Sequence, residues 1–365
     1  MDQKTSRRLK VGVYVDRGSR NTGALNWTRF FHYSPQAELL LVDALDIRDG
    51  KLAGLDLLMI PGGSSEKQCL ALGEAGMAAV RRFVADGGAY LGVCAGFHCA
   101  LSRPNRIGLF PYTLIKDGHG DSATVEMELN GRGAEVLGIP PGNYKVLYAK
   151  GPIATPCVPR RDVECRAEEL GTYRSSVGRA NHPEVNFCGR PAILYGTFGK
   201  GRAIATSFHP ELRGSTHEIA FKCVEAVTGV RITPEYPVGV RRPVRVGYFS
   251  PTILGKRCPC EVFELEGVPE LDLKLTNQND LEQGGLYHLD AMIFSDGDEE
   301  AYDANVKPCH AEMIRAFMER GGRVLVSGVG AKFVPEHRNR RVLPVGESFV
   351  KAALTAPEKT TLNAR

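Results

Sequence analysis

Cys94 stands in a stretch of sequence that suits a nucleophile. The residues Gly92-Val93-Cys94-Ala95-Gly96 end the apolar run AYLGV. A G-x-C-x-G sequence between a buried strand and a helix is the sulfur form of the nucleophile elbow, because its sharp turn leaves no room for side chains two residues on either side. The start of the next helix also favours the thiolate over the thiol. A buried structural cysteine among small residues is the alternative interpretation.

A base and an acceptor that would orient it occur together later in the chain. His209 follows the apolar run in RAIATSFHPEL, and Glu211 comes two residues later, across Pro210. A cysteine nucleophile needs a base, and the base needs an orienting acceptor. Cys94 and His209 both come at the carboxyl ends of expected parallel strands, where open α/β sheets place their sites. We therefore predict that Cys94, His209 and Glu211 are catalytic, with an ordinary loop histidine as the alternative.

A pair of glycines precedes the cysteine in the chain. Gly62 and Gly63 end the apolar run in LLMIPGGSS. Their backbone N–H groups, with that of Ala95, are predicted to form an oxyanion hole, because N–H dipoles aimed at a developing negative charge stabilise it. A plain glycine turn between a strand and a loop is the alternative.

Further residues are candidates for contacting a substrate. The loop DRGSRNTGA leaves the first expected strand at the same end as Cys94. His98 follows Cys94 by four residues and would share a helical face with it. These candidates are Asp16, Arg17, Thr22, His98 and Lys150. Solvated loop side chains and a hydrogen-bonded core histidine are the alternatives.

Cysteine spacing gives no sign of a metal centre. The 10 cysteines include no C-x-x-C pair, and Cys258-Pro259-Cys260 has no histidine or second cysteine pair at zinc-binding spacing. We expect no metal and no cofactor. The opening residues MDQKTSRRLKVGVYV carry no small-residue cleavage site of a secretory signal. Reduced thiols and a cytoplasmic location are therefore expected.

Composition narrows the class of protein. A chain of 365 residues is too long for one typical core, so two domains are expected. No apolar run approaches the roughly 18 residues that cross a bilayer. The net charge is +4 and Lys and Arg are mostly dispersed, which does not favour a nucleic-acid binder. We expect neither nucleic acid nor a membrane as a partner.

The chain repeats itself. Leu52 and the residues after it align without a gap to Leu286 and the residues after it, an offset of 234 that also pairs Gly96 with Gly330. The repeated pattern is strand, connection, strand, helix, strand, which is typical of an α/β unit with a parallel sheet.

The second copy lacks the residues of the expected site. At the same offset, Gly328 stands in the place of Cys94 and Asp296 in the place of Gly62. Too few residues follow to supply a hairpin and a His-Pro-Glu. We expect a duplication in which one copy lost the site and serves as a structural or substrate-shaping domain.

Local signals predict helix starts, a hairpin and a linker. Ser65 with Gln68, and Ser215 with Glu218, have the spacing of capping boxes. The run AILYGTFGKGRAIATSF is typical of a hairpin that turns at its GKG. The stretch TPEYPVGVRRP is the expected linker. The expected domains are therefore a Cys-His-Glu domain over 1–235, a degenerate repeat over 243–350 and a tail over 351–365.

These motifs carry a family resemblance. PGG, G-x-C-x-G and H-P-E, in this order, resemble the class I glutamine amidotransferases. GGAYLGVCAG and FGKGRAIATSFHPE are more similar to the amidotransferase-like domain at the N terminus of eukaryotic biotin-protein ligases, which also occurs as bacterial stand-alone proteins. The resemblance spans roughly residues 9–230. It implies a Cys94, His209, Glu211 triad on a flavodoxin-like parallel sheet. With the internal repeat, we therefore expect an α/β fold in which a second, shorter, degenerate α/β copy follows.

Three departures from the family pattern bear on function. Glutamine amidotransferases follow the elbow with a Gln that helps hold glutamine, whereas Phe97 and His98 stand here, which argues against glutamine as the substrate. The glycine- and arginine-rich adenylate loop of biotin ligases has no match, so biotin ligation is not expected. No ammonia-using domain is attached, so released ammonia would need a separate synthase or ligase partner protein.

The residues and the resemblance together favour an enzyme. We expect a cysteine hydrolase or amidotransferase-like protein that acts on an amide or ester carbonyl of a small molecule or peptide, through a thioester intermediate. Two alternatives stay open. One is a non-catalytic module that keeps the elbow pocket to bind a small molecule or peptide, and the other is a cysteine peptidase with the same triad.

Overall fold

The chain forms two compact units. The structure, a computed structural model, describes residues 7–158, 164–212, 214–237, 243–252, 255–282 and 284–354. Unit 1 comprises residues 1–235, and unit 2 comprises residues 236–365.

The strands of unit 1 form one large sheet and one small one. In chain order they are β1 (Leu9–Tyr14), β2 (Ala37–Val42), β3 (Leu57–Ile60), β4 (Ala89–Val93), β5 (Tyr112–Leu114), β6 (Ser122–Leu129), β7 (Gly142–Ala149), β8 (Ala154–Pro156), β9 (Cys165–Tyr173), β10 (Pro191–Phe198) and β11 (Gly201–Thr206). The large sheet has the order β2-β1-β3-β4-β11-β10-β9-β6-β7, and β5 pairs with β8.

The first half of the large sheet is parallel. Strands β2, β1, β3, β4 and β11 all run in the same direction, in the order of flavodoxin-like folds. Strands β10, β9, β6 and β7 extend this sheet with antiparallel pairs. The expected α/β, flavodoxin-like architecture is therefore confirmed. The antiparallel strands continue the same sheet beyond β11.

Helices cover the sheet of unit 1. They are α1 (Asn21–His32), α2 (Ala44–Arg48), α3 (Ser65–Ala85), α4 (Ala95–Cys99), α5 (Gly131–Leu137) and α6 (His217–Thr228). The sequences LLMI of β3 and AYLGV of β4 are buried along their whole length, as expected of central parallel strands covered on both faces. On α1, Trp27 and Phe31 stack with ring centroids 5.9 Å apart, and both are fully buried.

The two capping boxes expected from sequence are wrong. The N-cap of α3 is Ser64, whose side chain accepts the Lys67 N–H, and Ser65 lies one residue inside the helix. The N-cap of α6 is Thr216, which makes no side-chain cap bond. The neighbouring serine, Ser215, instead accepts the Leu147 N–H at 2.7 Å. In both places a tertiary contact competes with the local cap for the serine hydroxyl.

The expected hairpin is present. Strands β10 and β11 pair antiparallel, with Phe198 opposite Gly201. The connection is therefore the two-residue loop Gly199-Lys200, and Gly201 is the first residue of β11. Gly199 has a positive φ of 59°, which short hairpin loops favour.

Unit 2 has a smaller sheet of the same type. Its strands are β12 (Val244–Phe249), β13 (Leu271–Thr276), β14 (Ala291–Phe294), β15 (Arg323–Ser327) and β16 (Arg340–Leu343), and its helices are α7 (Arg257–Glu266), α8 (Gln278–Glu282), α9 (Glu299–Asn305), α10 (Pro308–Glu319) and α11 (Phe349–Leu354). The order is β13-β12-β14-β15-β16, and every pair is parallel. This is the order of the parallel half of unit 1.

The tail expected at the end of the chain lies only partly within the described residues. Residues 351–354, expected in a frayed tail, form the end of α11, whereas residues 355–365 lie outside the described part. No helix among the described residues is long and apolar enough to cross a membrane.

Candidate active site

Cys94 lies on a strained turn between β4 and α4. Its φ is 49° and its ψ is −98°, a backbone conformation that non-glycine residues rarely adopt. The Cys94 N–H donates to the carbonyl of Thr206 at 2.8 Å, which ties the turn to the end of β11. A Cβ atom on Gly96 would lie 2.1 Å from the carbonyl oxygen of Ile60. Glycine is therefore required here for α4 to pack against β3.

His209 and Glu211 form a buried pair after β11. Nδ1 of His209 lies 2.8 Å from Oε1 of Glu211, and their side chains are 10% and 0% exposed. A carboxylate only accepts hydrogen bonds, so Nδ1 donates to Glu211 and Nε2 is the ring nitrogen left for Cys94. The His209 N–H donates to the Leu147 carbonyl at 2.9 Å, and Asn26 donates to the Glu211 carbonyl at 3.1 Å. Strand β7 and helix α1 thus hold the pair in place.

The side chains of Cys94 and His209 meet at Gly62. A Cβ atom on Gly62 would lie 2.6 Å from Cε1 of His209 and 3.4 Å from Cβ of Cys94. The absence of a side chain at Gly62 therefore leaves the space in which the thiol and the imidazole come together. The three residues predicted to be catalytic are thus brought to one place by β4, β11 and the loop after β3.

Electrostatics favour a charged imidazole in this pair. Burial acts to lower the pKa of His209, but the charges of Glu211 and Cys94, and hydrogen bonds to both, raise that pKa well above its ordinary value. The protonated imidazole is therefore stabilised by Glu211 on one side and by the sulfur of Cys94 on the other. Oε2 of Glu211 is buried with no hydrogen-bond partner among the described residues.

The glycine loop lies beside the elbow. The Gly62 carbonyl accepts the Arg20 N–H at 3.0 Å, and the Ser64 N–H donates to the Gly18 carbonyl at 2.8 Å. These bonds fix the loop against the segment after β1. Within the described residues, the N–H groups of Gly63 and Ala95 have no hydrogen-bond acceptor in the protein. They remain available to a negatively charged oxygen.

The candidates in the first loop have structural contacts. Asp16 accepts from the Arg17 N–H at 2.7 Å and from the Ala44 N–H at 3.0 Å, so its carboxylate ties this loop to the start of α2. Arg17 is exposed. Thr22 lies in the first turn of α1, and its side chain is outside the described part of the structure.

His98 lies on α4 and faces the start of α3. Its Nδ1 is 2.8 Å from the hydroxyl of Ser65, and its Nε2 is 3.3 Å from Arg103. Burial, with the charges of Arg106 and Arg103, lowers the pKa of His98 to about 3. The imidazole is therefore neutral and held by polar partners at neutral pH.

Tyr148, which no sequence motif indicated, lies near the site. Tyr148, next to the Leu147 that holds His209, accepts the Gly120 N–H at 3.2 Å. Burial raises the pKa of Tyr148, the charge of Cys94 also raises it, and the charge of Arg179 lowers it. Tyr148 therefore lies within electrostatic reach of both groups.

Lys150 lies directly after β7, two residues beyond Tyr148. We call Tyr148, Lys150 and Arg179 the rim. Lys150 has a positive φ of 54°, and its Nζ is 3.6 Å from Oδ1 of Asp121. Arg179 donates to the carbonyl of Asp117 at 3.3 Å. These residues come from three separated loops, and only Lys150 among them was a candidate from the sequence.

Unit 2 keeps the bend but not the thiol. Gly328 follows β15 with a φ of 53°, close to the 49° of Cys94. The next N–H, that of Val329, donates to Oδ1 of Asp296 at 2.8 Å. A Cβ atom on Gly328 would lie 2.0 Å from the same oxygen. A carboxylate of the chain therefore fills the place that a side chain at this bend would need.

Two further observations concern possible ligand sites. No group of three His, Cys, Asp or Glu side chains in the described residues is arranged to hold a metal ion. A cavity of about 870 Å³ lies at the amino-terminal ends of β1, β3 and β4, lined by Leu9, Asp56 and Ala89 among others. It is at the opposite edge of the sheet from Cys94, so its size does not bear on the chemistry of the elbow.

Comparisons with known proteins agree on the superfamily. Residues 49–104 match the family model described as "Biotin-protein ligase, N terminal". A curated relative is the pyridoxal 5'-phosphate synthase subunit PdxT of Koribacter versatilis, which is 25% identical over 227 residues, covering 59% of this chain and 96% of the relative.

Two of the similar solved structures are from Thermotoga maritima. PurLQS matches with a TM-score of 0.46 and 17% identity, over 61% of this chain and 99% of that chain. A glutamine amidotransferase matches with a TM-score of 0.36 and 13% identity, over 60% of this chain and 83% of that chain. The family-model match and the curated relative, together with the motifs at the site, support the similarity of unit 1 to the class I glutamine amidotransferase-like superfamily.

Proposed function

We propose that unit 1 is a cysteine hydrolase or amidotransferase-like enzyme that cleaves an amide or ester carbonyl through a thioester. One observation carries the proposal. Cys94 and His209 both border the space at Gly62, and Glu211 lies 2.8 Å behind the imidazole. This is the order of nucleophile, base and orienting acceptor that covalent acyl transfer requires.

The first step forms a carbon–sulfur bond. The proton shared between the Cys94 sulfur and Nε2 of His209 moves fully onto the imidazole, and the sulfur electron pair attacks the carbonyl carbon. The carbonyl π electrons move to oxygen, where the N–H groups of Gly63 and Ala95, with Gly62 beside them, stabilise the negative charge. Glu211 holds the imidazole in the tautomer that the transfer needs and stabilises its charged form.

The second step breaks the bond to the leaving group. The tetrahedral intermediate collapses, the carbon–nitrogen or carbon–oxygen bond breaks, and His209 returns its proton to the departing nitrogen or oxygen. The product is a thioester on Cys94. His209 then takes a proton from water, the resulting hydroxide attacks the thioester, and the thiolate leaves with the proton from His209.

We infer that the acyl donor differs from free glutamine. The position four residues after the nucleophile holds His98, whose ring is held by Ser65 and Arg103, where the family pattern has a glutamine. We propose that Lys150 and Arg179 supply cationic groups for a small-molecule or peptide substrate. We also propose that Asp16, Arg17 and Thr22, which follow β1, contact the substrate.

A partner protein is part of the proposal. The curated relative is named as a subunit of a synthase. By analogy, an amine released by unit 1 would pass to a separate synthase or ligase. Unit 2 is proposed to be a degenerate repeat without a nucleophile, because Gly328 and the carboxylate of Asp296 stand where the elbow thiol would be.

Trapping the acyl enzyme tests the proposal. With p-nitrophenyl acetate as the probe, the wild type should release a burst of about one equivalent of p-nitrophenolate and gain one acetyl group on Cys94. Cys94→Ala should lose the burst, and His209→Asn should slow it by about 10²–10⁴-fold. Cys188→Ala, at an exposed cysteine, is the matched control and should keep it. Equal acetylation of Cys94 in the wild type and in His209→Asn would refute the assignment.

A further inference from the structure

Two cysteines that the proposed mechanism does not use lie together beneath the site. Cys69 is on α3, and Cys99 is the last residue of α4, the helix that begins at the elbow. Their sulfur atoms are 3.3 Å apart. The two residues are 3% and 0% exposed, and neither is in a disulfide.

The surroundings give the two thiols different roles. Cys99 donates towards Oε1 of Gln68 at 3.4 Å and lies 3.8 Å from the Ser65 carbonyl. Burial raises the pKa of Cys99 well above its ordinary value. The hydrogen bond between the two thiols lowers the pKa of Cys69, burial opposes this, and the charge and hydrogen bond of Arg106 lower it further. Cys69 is therefore the thiol suited to attack, and Cys99 the one suited to resolve.

We propose that Cys69 and Cys99 are a redox-responsive pair that closes to a disulfide and displaces the elbow helix α4. The oxidant is a hydroperoxide. The Cys69 thiolate attacks the peroxide, its oxygen–oxygen bond breaks, and the products are a Cys69 sulfenic acid and, with a proton, water. Cys99 then attacks the Cys69 sulfur, the sulfur–oxygen bond breaks and a second water leaves. Overall, two thiols and hydrogen peroxide give one disulfide and two waters.

The position of the pair connects it to the site. A disulfide needs a sulfur–sulfur distance of about 2.05 Å, so the observed 3.3 Å must shorten by more than one ångström. Helix α3 begins directly after the Gly62-Gly63 loop, and α4 begins at Ala95. The movement is therefore applied between the two elements that carry the proposed oxyanion donors. A misplacement of about 1 Å costs about 100-fold in a catalytic rate.

Gln68 extends this connection to the end of β3. Its Nε2 donates to the Pro61 carbonyl at 3.0 Å, while its Oε1 accepts from Cys99. Closing the disulfide removes the thiol proton that Cys99 shares with Gln68. Gln68, which bonds the carbonyl of Pro61 next to Gly62, then loses its hydrogen bond from Cys99.

The formation of the disulfide is tested on the reduced full chain. It is treated with hydrogen peroxide, blocked with N-ethylmaleimide and digested without reductant. We expect a crosslinked Cys69–Cys99 peptide that lacks two hydrogens and is released by dithiothreitol. Cys99→Ser should abolish it, and Arg106→Gln should slow it, because the Arg106 charge lowers the pKa of Cys69. Cys165→Ser, at a partly buried cysteine elsewhere, should leave it unchanged.

The variants are chosen to fold. A serine hydroxyl at 99 has the same two acceptors, Ser65 and Gln68, and Arg106→Gln leaves both thiols in place. Thermal unfolding of the reduced variants checks this directly. Recovery of Cys69 and Cys99 as separate maleimide adducts, after the exposed Cys188, Cys260 and Cys309 have been oxidised, would overturn the proposal. So would a disulfide from Cys99 to Cys94.

The effect on the site is measured as the alkylation rate of Cys94 by iodoacetamide. Oxidised wild type is compared with Cys99→Ser given the same peroxide, because oxidation of Cys94 itself is common to both. We expect alkylation about tenfold slower in the oxidised wild type. Equal rates would show that the disulfide does not displace α4. The disulfide forms or fails whether or not unit 1 is a hydrolase, so the two proposals fail separately.

Discussion

At the scale of single residues, the site depends on a histidine held between a buried carboxylate and a thiol. Glu211 is fully buried, and its Oε1 is 2.8 Å from Nδ1 of His209. A buried carboxylate is costly unless it is paired. Here the imidazolium supplies the compensating charge, and the Cys94 thiol stands on the other side of the ring.

This pairing makes a testable statement about stability. The pKa of folded His209 is raised above the ordinary value of about 6.5. The protonated ring therefore contributes stability that is complete below about pH 6.5 and is lost as the pH rises through the folded pKa. Glu211→Gln should lower the free energy of unfolding by about 3–5 kcal/mol near neutral pH, and the gap to wild type should narrow as the pH rises. Urea unfolding across this range measures it.

The control for this experiment is a carboxyl on the surface. Glu218 is exposed on α6, so Glu218→Gln should change the free energy of unfolding by less than about 1 kcal/mol at every pH. A gap between the wild type and Glu211→Gln that widens with rising pH would contradict the proposed protonation of His209.

The catalytic candidates could be predicted from sequence because each one is part of a local motif. Cys94 needs glycines around its turn, and Glu211 follows His209 within the same short loop. The role of Leu147, whose carbonyl holds the His209 N–H, could not be predicted, since it depends on β7 curling back to the end of β11. Ser65 was assigned to a cap but bonds His98, because Ser64 beside it is an equally good cap.

At the scale of elements, the elbow requires close contact between α4 and β3. The Gly96 position would bring a Cβ atom to 2.1 Å from the Ile60 carbonyl oxygen. Such a contact cannot be relieved by rotating a side chain, because the Cβ atom is fixed by the backbone of residue 96 and the oxygen belongs to the backbone of Ile60. The turn at Cys94 and the packing of α4 are therefore one structural feature.

We expect Gly96→Ala to lower the free energy of unfolding by about 1–3 kcal/mol, through overpacking. It should also slow alkylation of Cys94, because α4 must shift away from β3. The matched control is Gly131→Ala at the start of α5, where a Cβ atom would meet nothing within 4 Å. That change should be neutral or stabilising by about 0.5–1 kcal/mol. Chemical denaturation of both variants decides, and equal effects would contradict the packing explanation.

The elements that form the rim show the limit of sequence analysis. Tyr148 lies near the end of β7, and Lys150 and Arg179 lie in the loops after β7 and β9. The positions of all three depend on the antiparallel extension of the sheet. Only Lys150 was predicted, from its place at the end of a strand. Pairings between distant strands leave no pattern within a short window of sequence.

At the scale of the whole molecule, the chain uses one topology twice with different outcomes. Both sheets share the parallel order, and both fourth strands lead into a residue with a positive φ, Cys94 in unit 1 and Gly328 in unit 2. The repeat in the sequence predicted the α/β pattern of unit 2. It did not predict that Asp296 would accept the N–H next to the bend.

The central claim is that one of the 10 cysteines in the chain is activated, and competition among them tests it most directly. The full-length protein is treated with substoichiometric iodoacetamide at about pH 6, where ordinary thiols are almost entirely protonated, and each cysteine is quantified by mass spectrometry. Although Cys94 is only 8% exposed, we expect it to be alkylated first, and to lose this advantage in His209→Asn. If the exposed Cys188, Cys260 and Cys309 react faster than Cys94 in the wild type, covalent catalysis at the elbow is contradicted.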